Sequence, residues 1–167
     1  MLVSRENRIY RTGHMVRKSA GILAYRKTGS NYEVFLVHPG GPYWAKKDLG
    51  SWSIPKGEFE DEEDPLEAAR REFKEETGNE ITGEFFYLEP VKQPGEKVIF
   101  TWTVEADFDA SKVSSNTFEM EWPPKTGRIQ EFPEVDRGEW FVFEVARHKL
   151  LKGQVSILDQ LAEKLGI

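Results

Sequence analysis

Glu72, Glu75 and Glu76 fall within one short stretch, "REFKEETG" from Arg71 to Gly78. On a helix Glu72 stands beside both Glu75 and Glu76, and like charges at that spacing cost roughly 0.2–0.5 kcal/mol per pair. Arg71 can serve Glu67 and Glu75, each four residues away, but Glu72 and Glu76 have no cation three or four residues off in either direction. The ordinary reading of such a run is a solvated, ion-paired face. The uncompensated pair points instead to a hard divalent cation. Mg²⁺ prefers oxygen ligands, keeps several waters and is typically held by one or two carboxylates together with substrate phosphates. The chemistry suggested is metal-dependent work on a phosphate compound.

A helix has to present these carboxylates, and the flanking residues supply one. Asp64 is a good N-cap, Pro65 suits the first helical position, Glu67 completes an acidic capping box, and Gly78 is placed to end the helix. At roughly 100° per residue, Leu66, Ala69 and Phe73 share the face that must be buried. Glu72 and Glu76 flank that stripe, Glu75 lies slightly further round, and Arg70 and Lys74 occupy the other side.

Gly57, Glu63, Arg71, Glu72, Phe73, Glu75, Glu76 and Gly78 stand at the spacing G-x5-E-x7-R-E-U-x-E-E-x-G-U, where U is a bulky aliphatic residue. The segment resembles the Nudix box. Two positions depart from it: Phe73 is aromatic, and Asn79 occupies the final U. The resemblance implies an α/β fold, an α/β/α sandwich around a mixed β-sheet, with the box forming a loop, a helix and a second loop. It also implies hydrolysis of a nucleoside diphosphate linked to another group. By the same resemblance Glu72, Glu75 and Glu76 are metal ligands together with the backbone carbonyl of Gly57, the cofactor is Mg²⁺ or alternatively Mn²⁺, and Glu63 and Arg71 brace the box. A metal-activated water would attack phosphorus, with Glu75 as the base within the box. A base from a loop outside it is the alternative, and Glu119, Glu121, Glu131 and Glu134 all qualify.

Just before the box, "WSIPKG" from Trp52 to Gly57 is similar to the W-x-x-P-K-G segment of diadenosine tetraphosphate hydrolases and of some related Nudix branches, which makes Lys56 a phosphate-binding candidate. The expected substrate is a small nucleotide, foremost a dinucleoside polyphosphate cut asymmetrically to a mononucleotide and a nucleoside triphosphate. The alternatives are a nucleoside triphosphate cut to the monophosphate and pyrophosphate, and a catalytically silent domain that senses a nucleotide or binds a protein. A base needs an apolar face, and loop aromatics supply about 1–3 kcal/mol per stacked base. Tyr43, Trp44, Phe118 and Trp122 are the candidates, set against ordinary packing beneath long loops. Lys46 and Lys47 are weaker phosphate candidates, and His14, His38 and His148 show no ligand spacing, so they are read as non-functional.

The whole chain sets the outer bounds. Its 167 residues suit one domain, and 38% hydrophobic with 13% aromatic content favours a folded chain. Without cysteine, a metal must be held by oxygen or histidine. A net charge of −6 disfavours stable nucleic-acid binding. No apolar run is long enough to cross a membrane and no secretory signal is evident, so a cytoplasmic protein is expected, its oligomeric state left open. Residues 1–16 read as a flexible arm, an expression remnant or the lead to an alternative start at Met15, and 17–167 as the domain. Ala20 to His38 reads as a hairpin, residues 84–93 and 97–108 as a second β pair, 109–135 as irregular, 139–143 as a short strand, and Val155, Leu158, Leu161, Ala162 and Leu165 as a closing helix.

Overall fold

The structure, a computed structural model, describes residues 10–11 and 14–167, with side chains from Val16 onward. The expectation of a flexible arm over residues 1–16 falls largely outside them. Within that stretch β1 (Tyr10–Arg11) pairs with β2 (His14–Met15).

β3 (Arg17–Thr28) and β4 (Asn31–Pro39) form the expected hairpin. Further on come β5 (Lys56–Glu58), α1 (Pro65–Thr77), β6 (Phe86–Tyr87), β7 (Val91–Gln93) and β8 (Lys97–Glu105). β11 (Val135–Val142), α2 (Phe143–Lys149) and α3 (Val155–Leu165) close the chain. The sheet runs β11-β4-β3-β8-β6, with β5 added beside β3 and β7 beside β8. β8 lies parallel to β3 while β4, β5, β6, β7 and β11 pair antiparallel, so the sheet is mixed.

Alternation along the strands divides the core into two layers, because successive side chains point to opposite faces. On one face Ala20, Ile22 and Ala24 of β3 join Phe35 and Val37 of β4 and Phe100, Trp102 and Val104 of β8, all packed beneath Ala68, Ala69 and Phe73 of α1. On the other, Leu23, Tyr25, Val34, Leu36 and Ile99 meet Ile157, Leu158 and Leu161 of α3. The expected α/β/α sandwich is present. β8 is covered on both faces, so Thr101 and Thr103 are buried as well, and Thr103 Oγ1 donates to the Leu23 carbonyl at 2.8 Å.

One expectation fails and another holds with wider bounds. Residues 109–135 are not irregular: they carry a hairpin of β9 (Thr117–Glu121) and β10 (Ile129–Pro133), a separate two-stranded sheet. Its positions are exposed or half-buried, so no apolar run announces it. The strand read at 139–143 begins at Val135 and passes directly into α2, which buries only Ala146 and therefore shows no helical apolar period. Among the described residues no helix is long and apolar enough to cross a membrane.

Candidate active site

The box helix α1 is fixed at both ends by the expected residues. Asp64 accepts from the Glu67 N–H at 3.0 Å, and Gly78 takes φ 76° while its N–H donates to Lys74 O at 2.8 Å. The acidic capping box does not close, however, and the Glu67–Arg71 pair does not form, because the Glu67 carboxylate accepts from Arg70 at 3.2 Å. Phe73 fills the core against Phe35 and Phe108. Asn79, at the aliphatic position of the pattern, donates its N–H to Thr77 Oγ1.

Glu72 does have a cation. Arg71 is long enough to turn back over the helix, and its guanidinium donates to Glu63 at 3.0 Å, Glu72 at 2.9 Å and Glu75 at 3.2 Å. Counting three and four residues along the helix could not show a contact between sequence neighbours. Glu72 also lies against Gly57, where a Cβ would meet its carboxylate carbon at 2.1 Å, so a side chain at residue 57 would displace the carboxylate from this place. Burial raises the Glu72 carboxyl above its ordinary range, the Glu75 charge adds to the shift, and Arg71 opposes it.

Glu76 is the more constrained group. Its Oε1 accepts from the Lys56 N–H at 3.4 Å, while Oε2 is closed off from solvent and has no partner among the described residues. Burial pushes its pKa up to about 8, against the pull of the Lys56 backbone and charge. A buried oxygen without a donor is costly, and a cation would satisfy it.

Two residues that sequence reasoning did not single out hold Lys56 and Gly57 in place. Gly21 lies opposite Lys56 in the β3–β5 ladder, and a Cβ there would come within 2.8 Å of Ile54, the Lys56 Cβ and the Pro55 carbonyl. A glycine inside an apolar strand marks close backbone approach, so that signal was available. Gln154, fully buried, accepts the Ile54 N–H at 3.0 Å and donates to Ser53 Oγ at 3.0 Å. No local pattern marks a glutamine that acts a hundred residues away.

Trp44, Ser53, Lys56, Glu76, Glu134 and Leu151 are among the residues lining a cavity of about 220 Å³. Of the four loop carboxylates, Glu134 reaches it. Burial and the Glu75 charge raise the Glu134 carboxyl. Glu119 and Glu131 face each other across the exposed hairpin, and Glu121 accepts from the Lys125 N–H. Tyr43, Phe118 and Trp122 do not line the cavity: Tyr43 and Trp122 meet edge to face at 5.1 Å, and Phe118 rests against Gly41. Lys47 sits over the Trp44 ring at 5.0 Å, and Lys46 is exposed. His38 is fully buried and holds this loop from beneath. Its Nε2 donates to the Lys47 carbonyl at 2.6 Å, since a carbonyl can only accept, and Nδ1 lies 2.8 Å from Asp136.

The family model for the NUDIX domain matches residues 15–161. The chain belongs to the Nudix family. It is a Nudix hydrolase, an enzyme of phosphoanhydride bonds. Among solved structures, a C. elegans Ap4A hydrolase in a binary complex is 22% identical, with 89% of this chain and 98% of that one covered at a TM-score of 0.59. The NUDIX domain of Shewanella oneidensis NrtR, complexed with ADP ribose, is 16% identical, with 89% and 87% covered at 0.61. At these identities the likeness is one of fold. No curated protein sequence matches the chain.

Nudix hydrolases generally use divalent metal ions, and the box of this chain fits one. The unpartnered Oε2 of Glu76, the Glu72 carboxylate packed on a side-chain-free Gly57, and two carboxyls with raised pKa values form an oxygen-rich corner suited to a hard cation. Among the described residues no three acidic or histidine side chains already converge as a cage. Arg71 instead bonds Glu63, Glu72 and Glu75.

Proposed function

We propose that this Nudix hydrolase cleaves a dinucleoside polyphosphate such as diadenosine tetraphosphate asymmetrically, using Mg²⁺ held by Glu72, Glu75, Glu76 and the Gly57 carbonyl. The observation that carries the reading is the cavity in which Lys56 and Trp44 face Glu76 and Glu134. A lysine that we read as a phosphate-binding cation and a tryptophan thus line the same cavity as two carboxylates. The Tyr43–Trp122 pair on the adjoining loop and hairpin offers a second aromatic surface, as a substrate with two bases requires.

A divalent cation bound at the box supplies charge neutralisation along the polyphosphate and acidifies water. The protein does the rest. Lys56 binds a phosphate oxygen and Trp44 orients the nucleoside. Water adds to one phosphorus, its proton passes to the Glu134 carboxylate, and the bond from that phosphorus to the bridging oxygen of the leaving nucleotide breaks. Glu134 is preferred to Glu75 as the base because Glu75 is engaged by Arg71 while Glu134 opens onto the cavity. Glu63 and Arg71 brace the box.

Chromatographic product analysis tests this, with Mg²⁺ and with Mn²⁺, on dinucleoside polyphosphates, nucleoside triphosphates and nucleotide sugars. The expected result is ATP and AMP from diadenosine tetraphosphate, lost in Glu76→Gln. Preferential release of pyrophosphate from a triphosphate would reassign the substrate. Nucleotide binding without turnover on any compound would make the domain a sensor.

A further inference from the structure

Glu134 occupies an unusual place in the chain. It is the single residue between β10, which ends at Pro133 in the small sheet, and β11, which begins at Val135 in the large one. A side chain at such a junction would swing with the hairpin unless its backbone were held, and it is held on both sides. The Glu134 N–H donates to the Asn116 carbonyl at 2.9 Å, and the Glu134 carbonyl accepts from the Gly40 N–H at 2.9 Å.

Asn116 is itself tied to the box helix. Its N–H donates to the Glu75 carbonyl at 2.8 Å, and Ser114 N–H donates to the Thr77 carbonyl at 3.0 Å. These bonds satisfy carbonyls that the last turn of a helix leaves without intrahelical partners. Ser115 adds a side-chain link, with its Oγ accepting from the Val135 N–H at 3.0 Å. A continuous series of backbone hydrogen bonds therefore runs from the helix that carries Glu72, Glu75 and Glu76, through Asn116, to Glu134, and on to the end of β4. Only a glycine permits the last step. A Cβ on residue 40 would lie 1.9 Å from the Pro133 carbonyl oxygen and 2.9 Å from its carbon, backbone atoms that cannot simply rotate away.

We propose that Gly40 is a positioning residue for Glu134, acting through this backbone clasp to hold the loop carboxylate at a set distance from the box glutamates. The inference rests on the reading of Glu134 as the general base. A displacement of about 1 Å at a reacting group can lower a rate on the order of 100-fold, and an added Cβ at residue 40 demands a shift of that size.

The test is a double-mutant cycle on steady-state kinetics, run with thermal unfolding of each variant. Gly40→Ala is expected to lower kcat roughly 100-fold with KM within about twofold. Added to Glu134→Gln, it is expected to change kcat by less than about twofold, since it acts through a group already removed. A purely structural role for Gly40 would make the two losses multiply, and wild-type kcat in Gly40→Ala would show that the clasp sets nothing; either result overturns the proposal. Should Gly40→Ala fail to fold, Ser115→Ala carries the same cycle: a smaller loss of kcat that vanishes beside Glu134→Gln supports the clasp, and a multiplying loss or none overturns it. Full kcat in Glu134→Gln overturns the base assignment and the clasp's role with it. A Glu134→Gln defect that multiplies with Gly40→Ala overturns the clasp alone.

Discussion

Glu76 is held where its charge is poorly accommodated, and that has a measurable consequence for the metal-free protein. Its carboxyl titrates near 4.5 when unfolded and at about 8 when folded. Between those values the folded state keeps a proton that the unfolded state has lost, so unfolding releases it and stability falls as pH rises. The slope is about 1.4 kcal/mol per pH unit for one group, and burial shifts Glu72 and Glu134 in the same direction. With chelator present, denaturant unfolding should show stability decreasing from pH 5 to pH 8. Glu76→Gln should flatten most of that decline and raise stability at pH 8 while abolishing turnover, whereas saturating Mg²⁺ should restore the wild type. A wild-type protein whose stability is level across this window would remove the case for a strained, metal-awaiting carboxylate. The spacing in the sequence was enough to put Glu72, Glu75 and Glu76 on one helix. The contact between Arg71 and its neighbour Glu72 was not legible, because it depends on the path of a long side chain rather than on helical period.

At the scale of the element, local rules placed the box helix closely: Asp64, Pro65 and Gly78 bound it for reasons contained within a few residues. What positions the loop before the helix is not local. Ile54 presents its N–H to Gln154, and Ser53 bonds the same side chain, so the turn between α2 and α3 completes the strand that delivers Lys56. Truncating Gln154 to Ala leaves a buried backbone donor without a partner, which costs about 1–3 kcal/mol. Gln154→Ala should lower unfolding free energy by that amount in urea titration and raise KM through misplaced Lys56. Gln154→Glu, which retains the acceptor for the Ile54 N–H, should recover part of both. Equal losses in the two variants would mean that the amide's donation to Ser53, which both variants lack, is what matters there rather than its acceptance from Ile54. α2 escaped notice for a related reason: with Ala146 its only fully buried residue, the helix is made by its neighbours more than by its own pattern.

At the scale of the molecule, the two-layered core was legible because long apolar strands and the spacing of α3 specify it, whereas the β9–β10 hairpin was not. The hairpin contributes little to that core. It lies outside the seven-stranded sheet, and its strand positions are exposed or half-buried. It meets one loop at three points, with Pro133 beside Gly40, Phe118 against Gly41 and Trp122 edge to face with Tyr43. Stability and substrate binding should therefore separate. Replacing residues 119–131 with a short Gly-Ser turn removes Trp122 but keeps Phe118, Phe132 and the anchored Glu134. Denaturant unfolding should change by no more than about 1 kcal/mol, as for surface changes distant from the core. KM for a dinucleoside polyphosphate should rise about 5- to 150-fold, the equivalent of about 1–3 kcal/mol for one stacked base, with kcat nearly preserved because Gly40 and Asn116 still hold Glu134. A nucleoside triphosphate, which has only one base to place, should lose less. If KM stays unchanged for both substrates, the aromatic pair is packing alone, and the second base must be bound elsewhere.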